Sequence, residues 1–287
     1  MASTDWKYYN HAAIPATAPH ETPDLTPLRD GSIWNMPERP LLVRWTEHFD
    51  CAEETNWWYC IKDTPYEPEK LKSTRRYKIN KGRRYFSVAL CNPLQMLDEI
   101  YRVATLAFSD YPASYRPRLN KDTFIGGLRK TLSKEREFLF FGAWDRLAHA
   151  LSGYACLSVS KSYARLNVLR AVPSAENHGV NAALIDGICR HFADRLASGF
   201  YICDGERNIL HETHFYNYLG KYFGFRKAYA ELHLRYRKDI AAIVWLLYPF
   251  RALIKKCPGR LPALVSAVLK MEEIVRQAHL SDSFSRI

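Results

Sequence analysis

The chain has 287 residues, of which 47% are hydrophobic, and its formal net charge at pH 7 is +11. This apolar content is ample for a folded core, so the composition excludes an intrinsically disordered protein. The longest apolar run, residues 240–250, is shorter than the roughly 18 residues that span a bilayer, and we interpret it as a buried helix. The first residues show no basic segment followed by an apolar run, so we expect a cytoplasmic protein.

The cysteines and the charge restrict the expected cofactors and partners. Seven cysteines form an odd set without a Cys-x-x-Cys pair, which favours reduced thiols over disulfides or a zinc ribbon. His211 and His214 lie three residues apart, but HETH lacks the HExxH spacing of zinc enzymes, so no metal is expected. The positive charge favours an anionic partner, and nucleic acid, a nucleotide cofactor and an anionic membrane surface all remain open.

The first half of the chain divides at about residue 40. Residues 1–40 are rich in Pro, Thr and Ala without a strand or helix period, so we expect an extended N-terminal arm. Residues 41–133 should form a separate unit, in which candidate strands at 41–49 and 55–63 pair as a hairpin. This unit continues with a basic segment at 70–84, a strand at 86–91 and helices at about 92–109 and 121–133.

The second half alternates strands and helices more regularly. Candidate strands lie at 137–144, 151–158, 164–172, 199–203 and 228–236, and candidate helices at about 179–197 and 213–223. This order favours an α/β fold in which a mixed, twisted sheet over residues 134–238 carries helices on both faces. Residues 239–287 should form an appendage of two helices, at 239–256 and 261–279, that contact a partner subunit or cover the sheet.

One strand-to-helix connection has the features of an anion site. In LNVLRAVPSAENHGVNAALIDGICRHF, residues 166–192, a strand leads through a polar loop with Gly179 into an amphipathic helix. The first turn of a helix presents unpaired backbone N–H groups and a partial positive charge, which can hold a phosphate or pyrophosphate. An ordinary capped helix has the same pattern, so the loop alone leaves both interpretations open.

This segment and FYICDGERNILHETHFYNYLGKYFGFRKAYAELHLRYR, residues 200–237, together resemble the GNAT acyltransferase superfamily. The shared order is strand, phosphate-gripping helix, strand, helix and a Gly-Phe corner before the last strand, over about residues 137–237. The earlier LKSTRRYKINKG, FSVALC and LDEIYRVATLAFSDYP further resemble FemAB-like members, which often carry two GNAT-like units. The resemblance therefore implies a GNAT-like unit at 134–238 and a degenerate one at 41–133.

The resemblance also implies that acyl-CoA binds at the loop, with aminoacyl-tRNA as the alternative donor. The implied cofactor-binding residues are Val172, Asn177, His178, Gly179, Val180, Asn181 and Ala182. Of the three positions that define the family's pyrophosphate loop, Gly179 matches, whereas Glu176 and Asn181 do not. The family often has a tyrosine that protonates the leaving thiolate, and its place is taken here by Gly220, with Tyr218 nearby.

Acyl transfer to an amine or hydroxyl needs a general base near the acceptor. Asp204 and Glu206 follow a strand in the same half as the loop, and His214 comes shortly after them. With Tyr218, these three are the candidate catalytic residues. The alternative is structural, with Asp204 in a turn and residues 211–213 capping the next helix.

The basic segment at 70–84 contains eight Lys or Arg residues. As a helix, it places Lys72 and Arg76 on one side and Leu71 and Ile79 towards the core. Each Lys or Arg near a phosphate releases counterions, so the segment is a candidate surface for tRNA phosphates or a phosphorylated lipid or sugar carrier. The candidate anion-binding residues are Arg75, Arg76, Lys78, Lys81, Arg83 and Arg84. A solvated helix face is the alternative.

The sequence thus favours an acyl- or aminoacyltransferase of the GNAT or FemAB-like type. Its expected acceptor is an amine or hydroxyl of a cell-envelope or saccharide precursor. The alternative is a non-catalytic protein of GNAT fold that binds an anionic partner through its basic face. A peripheral membrane surface and a second copy of the chain are further partners that the composition leaves open.

Overall fold

The computed structural model describes residues 5–111, 116–133, 137–209 and 215–284. The chain forms two compact units, each assembled from separate segments. The first unit contains residues 1–59, 206–213 and 227–287, and the second contains residues 60–205 and 214–226. Within the described residues, we find no helix with the length and apolar character needed to cross a bilayer.

The secondary structure follows the chain in this order. The strands of the described residues are β1 (Trp6–Tyr9), β2 (Ala12–Pro15), β3 (Leu42–Cys51), β4 (Trp57–Lys62), β5 (Phe86–Leu90), β6 (Glu137–Asp145), β7 (Leu151–Val159), β8 (Tyr163–Ala171), β9 (Tyr201–Glu206) and β10 (Arg226–Tyr236). The α-helices are α1 (Thr26–Arg29), α2 (Ser73–Tyr85), α3 (Leu97–Leu106), α4 (Lys121–Leu132), α5 (Pro173–Glu176), α6 (Val180–His191), α7 (Ala193–Leu196), α8 (Phe215–Phe223), α9 (Lys238–Leu247), α10 (Arg251–Ile254) and α11 (Arg260–Phe284).

The strands of the first unit are ordered β1-β2-β3-β10-β4. β1 pairs with β2 and β3 pairs with β10 in antiparallel fashion, whereas β2 and β3 are parallel. Because β10 lies between β3 and β4, the hairpin predicted for β3 and β4 is wrong. The physical reason is that a strand distant in sequence takes the place beside β3. β10 pairs with β3 from Tyr229 opposite Cys51 to Tyr236 opposite Leu42, and the short polar turn after β3 carries no information about this partner.

One core cluster of the first unit lies between its strands and α11. Trp57 and Leu232 on the strands pack with Ile274 of α11, and Trp57 is completely buried. The adjacent Trp58 is partly exposed, as expected for neighbouring strand residues that face opposite sides. The described part of α11 therefore covers the sheet of its own unit.

The helix α9 is not the buried helix that the sequence predicts. In the apolar run at 240–250 only Val244 is buried, whereas Trp245 is 73% exposed and Leu246 is 61% exposed. The prediction is wrong because apolar residues surround this helix, and one neighbouring surface can cover only one of its faces.

The second unit contains the strand order β4-β9-β8-β7-β6-β5, with β4 entering at Cys60. β5, β6, β7 and β8 pair antiparallel in succession, and β8 pairs with β9 in parallel. The sheet is mixed, as the sequence predicts, but it also contains β5, whereas β10 of the predicted unit at 134–238 lies in the first unit.

Helices cover both faces of this second sheet. Phe140 on β6 packs with Ile100 and Val103 of α3, whereas the ring of its neighbour Phe141 lies 5.3 Å from that of His191 on α6. Successive strand residues point to opposite faces, so α3 and α6 lie on opposite sides of the sheet. The predicted fold class, a mixed sheet with helices on both faces, is confirmed.

The helix α2 lies directly against the start of α6. A Cβ atom at Gly82 of α2 would be 2.6 Å from the carbonyl oxygen of Gly179 and 2.9 Å from the backbone nitrogen of Ala183. Only a residue without a side chain permits this approach. Gly179 itself has a φ of 87°, in the left-handed region that favours glycine.

A buried ion pair reinforces this contact. Asp186 of α6 is 4% exposed and accepts hydrogen bonds from Nε and Nη2 of Arg83 at 2.8 and 2.7 Å. The hydroxyl of Tyr66 donates to the same carboxylate at 2.7 Å. An unpaired buried carboxylate costs several kcal/mol, so the two hydrogen bonds from Arg83 hold α2 and α6 in one arrangement. The hydrogen bonds to Asp186 raise the pKa of Arg83, which keeps the guanidinium charged.

We predict that Gly82→Ala lowers the free energy of unfolding by about 1–3 kcal/mol, because the new methyl group meets backbone atoms that cannot rotate away. The matched control is Gly127→Ala in α4, where an added Cβ meets no atom within 4 Å. This control should raise stability by about 0.5–1 kcal/mol through helix propensity. Chemical denaturation of both variants checks the prediction, and a stabilised Gly82→Ala variant would contradict the close approach.

Candidate functional site

The parallel pairing of β8 and β9 is short. It joins Tyr163–Arg165 to Tyr201–Cys203, although β8 continues to Ala171 and β9 to Glu206. A bulge in β8 lies just beyond this ladder, where Asn167 is an extra residue relative to β7. Bulges bend a strand and increase its twist, which accounts for the early end of the pairing. We refer to the place where residues 166–171 of β8 and the residues of β9 after Cys203 no longer pair with each other as the interstrand gap.

Asp204 is the first residue of β9 beyond the paired segment. Burial raises its pKa to about 7, and the positive charge of Arg165 on β8 opposes this rise. Both the protonated and the ionised carboxyl are therefore populated near neutral pH, which is the condition that favours a general base. Cys60 lies close enough for the charge of Asp204 to act on it, and burial raises the pKa of its thiol. Cys60 is thus a poor nucleophile.

The predicted cofactor loop is largely helical. The N–H groups of Ala175, His178 and Gly179 donate to the carbonyls of Val172, Ala175 and Glu176 respectively, at 2.9–3.0 Å. These donors are therefore used within the loop. The remaining N–H groups of the predicted anion site belong to the first turn of α6, where they have no acceptor within their own helix; Val180 and Ala182 in this turn are buried.

The first turn of α6 also carries a buried acceptor. The side-chain Oδ1 of Asn181 is buried and has no hydrogen-bond partner in the part of the chain that the structure describes. A buried carbonyl oxygen left without a donor costs about 1–3 kcal/mol. A ligand hydroxyl, amide or amine that donates to Asn181 would recover this energy.

The structure brings the loop together with the basic helix α2. The ring centroids of His178 and Tyr85 lie 4.7 Å apart, and Gly179 contacts Gly82 as described above. Of the candidate anion-binding residues, Arg75, Arg76, Lys78 and Arg84 are exposed, and Lys81 and Arg83 are partly buried. Two regions predicted separately thus form one positively charged surface of the second unit, which we name the α2–α6 surface.

Two other predicted catalytic residues have partners of their own. Glu206 belongs to the first unit, where its carboxylate forms an ion pair with Arg44. Tyr218 lies on α8, with ring centroids of Phe215 and Tyr222 at 5.8 and 5.1 Å from its own. Burial raises the pKa of Tyr218, so its hydroxyl keeps its proton at neutral pH.

His214, the remaining catalytic candidate, falls within residues 210–214, which are outside the described residues. Among the residues that are described, no group of three or more His, Cys, Asp or Glu side chains is placed to hold a metal ion.

Sequence reasoning missed Gly82 and Asp186. A weak signal for Asp186 is present, since this acidic residue directly follows the fully buried Ile185 on the core-facing part of α6. Gly82 carries no comparable signal, because a glycine inside a basic helix has the same local sequence whether or not another backbone lies against it.

Comparisons with known proteins support the fold. No family model matches the chain, and no curated protein matches it. The C-terminal domain of a predicted lysylphosphatidylglycerol synthetase from Agrobacterium fabrum has a TM-score of 0.50 at 13% identity, covering 84% of this chain and 82% of that chain. L-PGS from Bacillus licheniformis has a TM-score of 0.50 at 10% identity, covering 88% of this chain and 85% of that chain.

A tandem GNAT protein from the clavulanic acid biosynthesis pathway has a TM-score of 0.46 at 9% identity, covering 78% of this chain and 75% of that chain. Identities this low speak to the fold alone. Taken with the order β5, β6, β7, β8, α6, β9, α8 and β10, the structural likenesses at a TM-score of 0.50 show that the chain has a GNAT-like fold.

Proposed function

We propose that the chain is an acyl- or aminoacyltransferase of the FemAB-like branch in which Asp204 is the general base. The observation that carries the proposal is a carboxyl group with a pKa of about 7 where β8 and β9 stop pairing. An amine or hydroxyl of the acceptor attacks the donor carbonyl, the bond to the leaving group breaks, and Asp204 takes the acceptor's proton. Tyr218, kept protonated by its raised pKa, is the candidate acid for the leaving thiolate or alkoxide.

The proposed donor carries phosphate. The α2–α6 surface combines the first-turn N–H groups of α6 with the exposed Arg75, Lys78 and Arg84. Both the diphosphate of acyl-CoA and the backbone of aminoacyl-tRNA fit this chemistry. The donor's reactive ester or thioester would then lie in the interstrand gap of the same unit.

The proposed acceptor is an amine or hydroxyl of a cell-envelope or saccharide precursor. The name of the Agrobacterium fabrum protein includes lysylphosphatidylglycerol, an aminoacylated lipid headgroup. Phosphatidylglycerol is therefore the first acceptor to test, followed by amino sugars.

A second candidate function is binding without catalysis. The observation that favours it is Glu176, an exposed carboxylate on the loop that would meet a pyrophosphate. In this case the exposed cations of α2 hold an anionic partner, and Asp204 has no chemical role.

We predict that Asp204→Asn lowers kcat about 10²- to 10⁴-fold with little change in KM, because it removes the base and keeps the shape. The wild-type rate should rise with pH up to about 7 and then level off, since the base must be ionised. Both the kcat of the variant and the pH dependence of the wild-type rate are measured by transfer of a labelled acyl or aminoacyl group. The donors are acyl-CoA and aminoacyl-tRNA, and the acceptors are phosphatidylglycerol and amino sugars. The matched control is the exposed Asp194→Asn, which should keep wild-type activity. An active Asp204→Asn enzyme favours another base, and no transfer by the wild type favours the binding function.

A second prediction concerns Asp204 without any substrate. Folding raises its pKa from 3.8 to about 7, so the folded chain binds more protons than the unfolded chain between these pH values. The stability contribution of the protonated carboxyl is complete below pH 3.8 and is lost as pH rises through about 7. Asp204→Asn should therefore gain Tm relative to the wild type between pH 5 and pH 8. A difference in Tm that stays constant over this range would remove the basis for the proposed base.

The third prediction concerns the donor. Asn181→Leu keeps the approximate shape of the side chain but removes the buried acceptor, so donor affinity should fall about three- to tenfold. The Tm should stay unchanged or rise, because the variant no longer buries an unpaired polar atom. The control is Asn217→Leu, at an exposed position early in α8.

Calorimetry with CoA and filter binding with tRNA show which donor loses affinity. A steep fall of wild-type affinity with salt is expected for tRNA and not for CoA. Loss of Tm in Asn181→Leu would instead assign the side chain a structural role.

A further inference from the structure

The C-terminal helices of the first unit expose several large apolar side chains. The exposed side chains are Ile243 (51%), Trp245 (73%), Leu246 (61%), Phe250 (53%), Leu253 (63%) and Leu261 (72%). We name these six residues the C-terminal apolar surface. Single exposed apolar residues are common on proteins, but six large ones within nineteen residues mark an interaction site.

This surface is held in place by contacts on its inner side. Nε of Arg251 lies 3.2 Å from a carboxylate oxygen of Glu273 on α11, and its guanidinium carbon lies 4.5 Å from the ring centroid of Tyr248. The guanidinium carbon of Arg276 lies 3.9 Å from the same ring centroid. These contacts fix α10 against α11, so the exposed apolar side chains belong to a packed segment.

The segment that carries the surface is rich in cations, of which Arg251 and Lys270 pair with Glu273 of α11. Residues 240–271 contain five Lys or Arg and no Asp or Glu. Two of these cations, Lys255 and Lys256, are exposed two and three residues after Leu253. A partner for this segment must therefore offer an apolar phase and negative charge together.

We infer that the C-terminal apolar surface binds the interface of an anionic phospholipid bilayer. Trp, Phe and Leu side chains enter the boundary between headgroups and acyl chains, while nearby lysines contact anionic headgroups. A second copy of the chain fits less well, because a contact between two such surfaces adds the positive charge of both copies to one interface and supplies no anionic group opposite Lys255 and Lys256. This inference does not depend on the proposed transferase activity.

Co-sedimentation with vesicles tests the inference. The full chain should bind vesicles of phosphatidylcholine with 30% phosphatidylglycerol, and bind pure phosphatidylcholine vesicles much more weakly. The double variant Leu246→Ser/Leu253→Ser should lose at least about tenfold in affinity, because two leucines no longer enter the bilayer. Its control is Leu94→Ser/Leu147→Ser, which removes two leucines that are 51% and 90% exposed in the second unit and should bind like the wild type.

The contribution of charge to vesicle binding is tested with a second double variant and its matched control. Lys255→Glu/Lys256→Glu should lower the affinity about thirtyfold or more, since each lysine near an anionic surface contributes roughly 1 kcal/mol. Arg129→Glu/Lys130→Glu reverses two adjacent exposed cations of α4 and should leave vesicle binding unchanged.

Absence of binding to the phosphatidylglycerol vesicles would overturn the inference, and so would equal losses in each variant and its control. Sedimentation velocity without lipid tests the alternative that a second copy of the chain binds this surface. A dimer that Leu246→Ser/Leu253→Ser dissociates, with no vesicle binding, would assign the surface to a second copy.

Discussion

The backbone contact between α2 and α6 is the constraint on which the arrangement of the candidate site depends. Gly82 lets the carbonyl oxygen of Gly179 approach the axis of α2, and the Arg83–Asp186 pair keeps the helices in register. Without this contact, the cations of α2 would have no fixed position relative to the first turn of α6. The same interaction therefore packs α2 on α6 and assembles the positively charged surface of the second unit.

The candidate site contains opposite electrostatic conditions within one unit. The α2–α6 surface offers positive charge and unpaired N–H groups, while the interstrand gap raises the pKa of Asp204 through burial. A phosphate-bearing donor would be attracted by the first and would present its carbonyl to the second. Burial of Asp204 opposes stability at neutral pH, and such a cost is common where a residue serves a reaction.

Much of the fold follows from local sequence patterns, and the errors have a common cause. The strands at 137–144, 151–158 and 164–172 agree with β6, β7 and β8 within one or two residues, because alternation and turn signals are local. The hairpin of β3 and β4 is wrong because its competitor, β10, begins at residue 226. Burial of α9 is wrong because apolar composition does not specify which neighbour is present to cover a helix.

The candidate site was predictable to a similar extent. Gly179 at the start of α6 and Asp204 in β9 both come from reading strand ends and helix starts. The pairing of Arg83 with Asp186 and the ion pair of Glu206 with Arg44 were not predictable, because each joins residues more than a hundred positions apart. Charge patterns identify cations, but only the tertiary structure separates those with an internal partner from those that remain at the surface.

The pairing of β3 with β10 also bears on how the chain folds during its synthesis. Residues 42–51 leave the ribosome long before residues 226–236, and at about 5–20 residues per second this interval is on the order of ten seconds or more. Throughout it, one edge of β3 lacks its final neighbour and presents free backbone groups to other chains. The first unit thus reaches its folded state only after residues 226–236 have emerged.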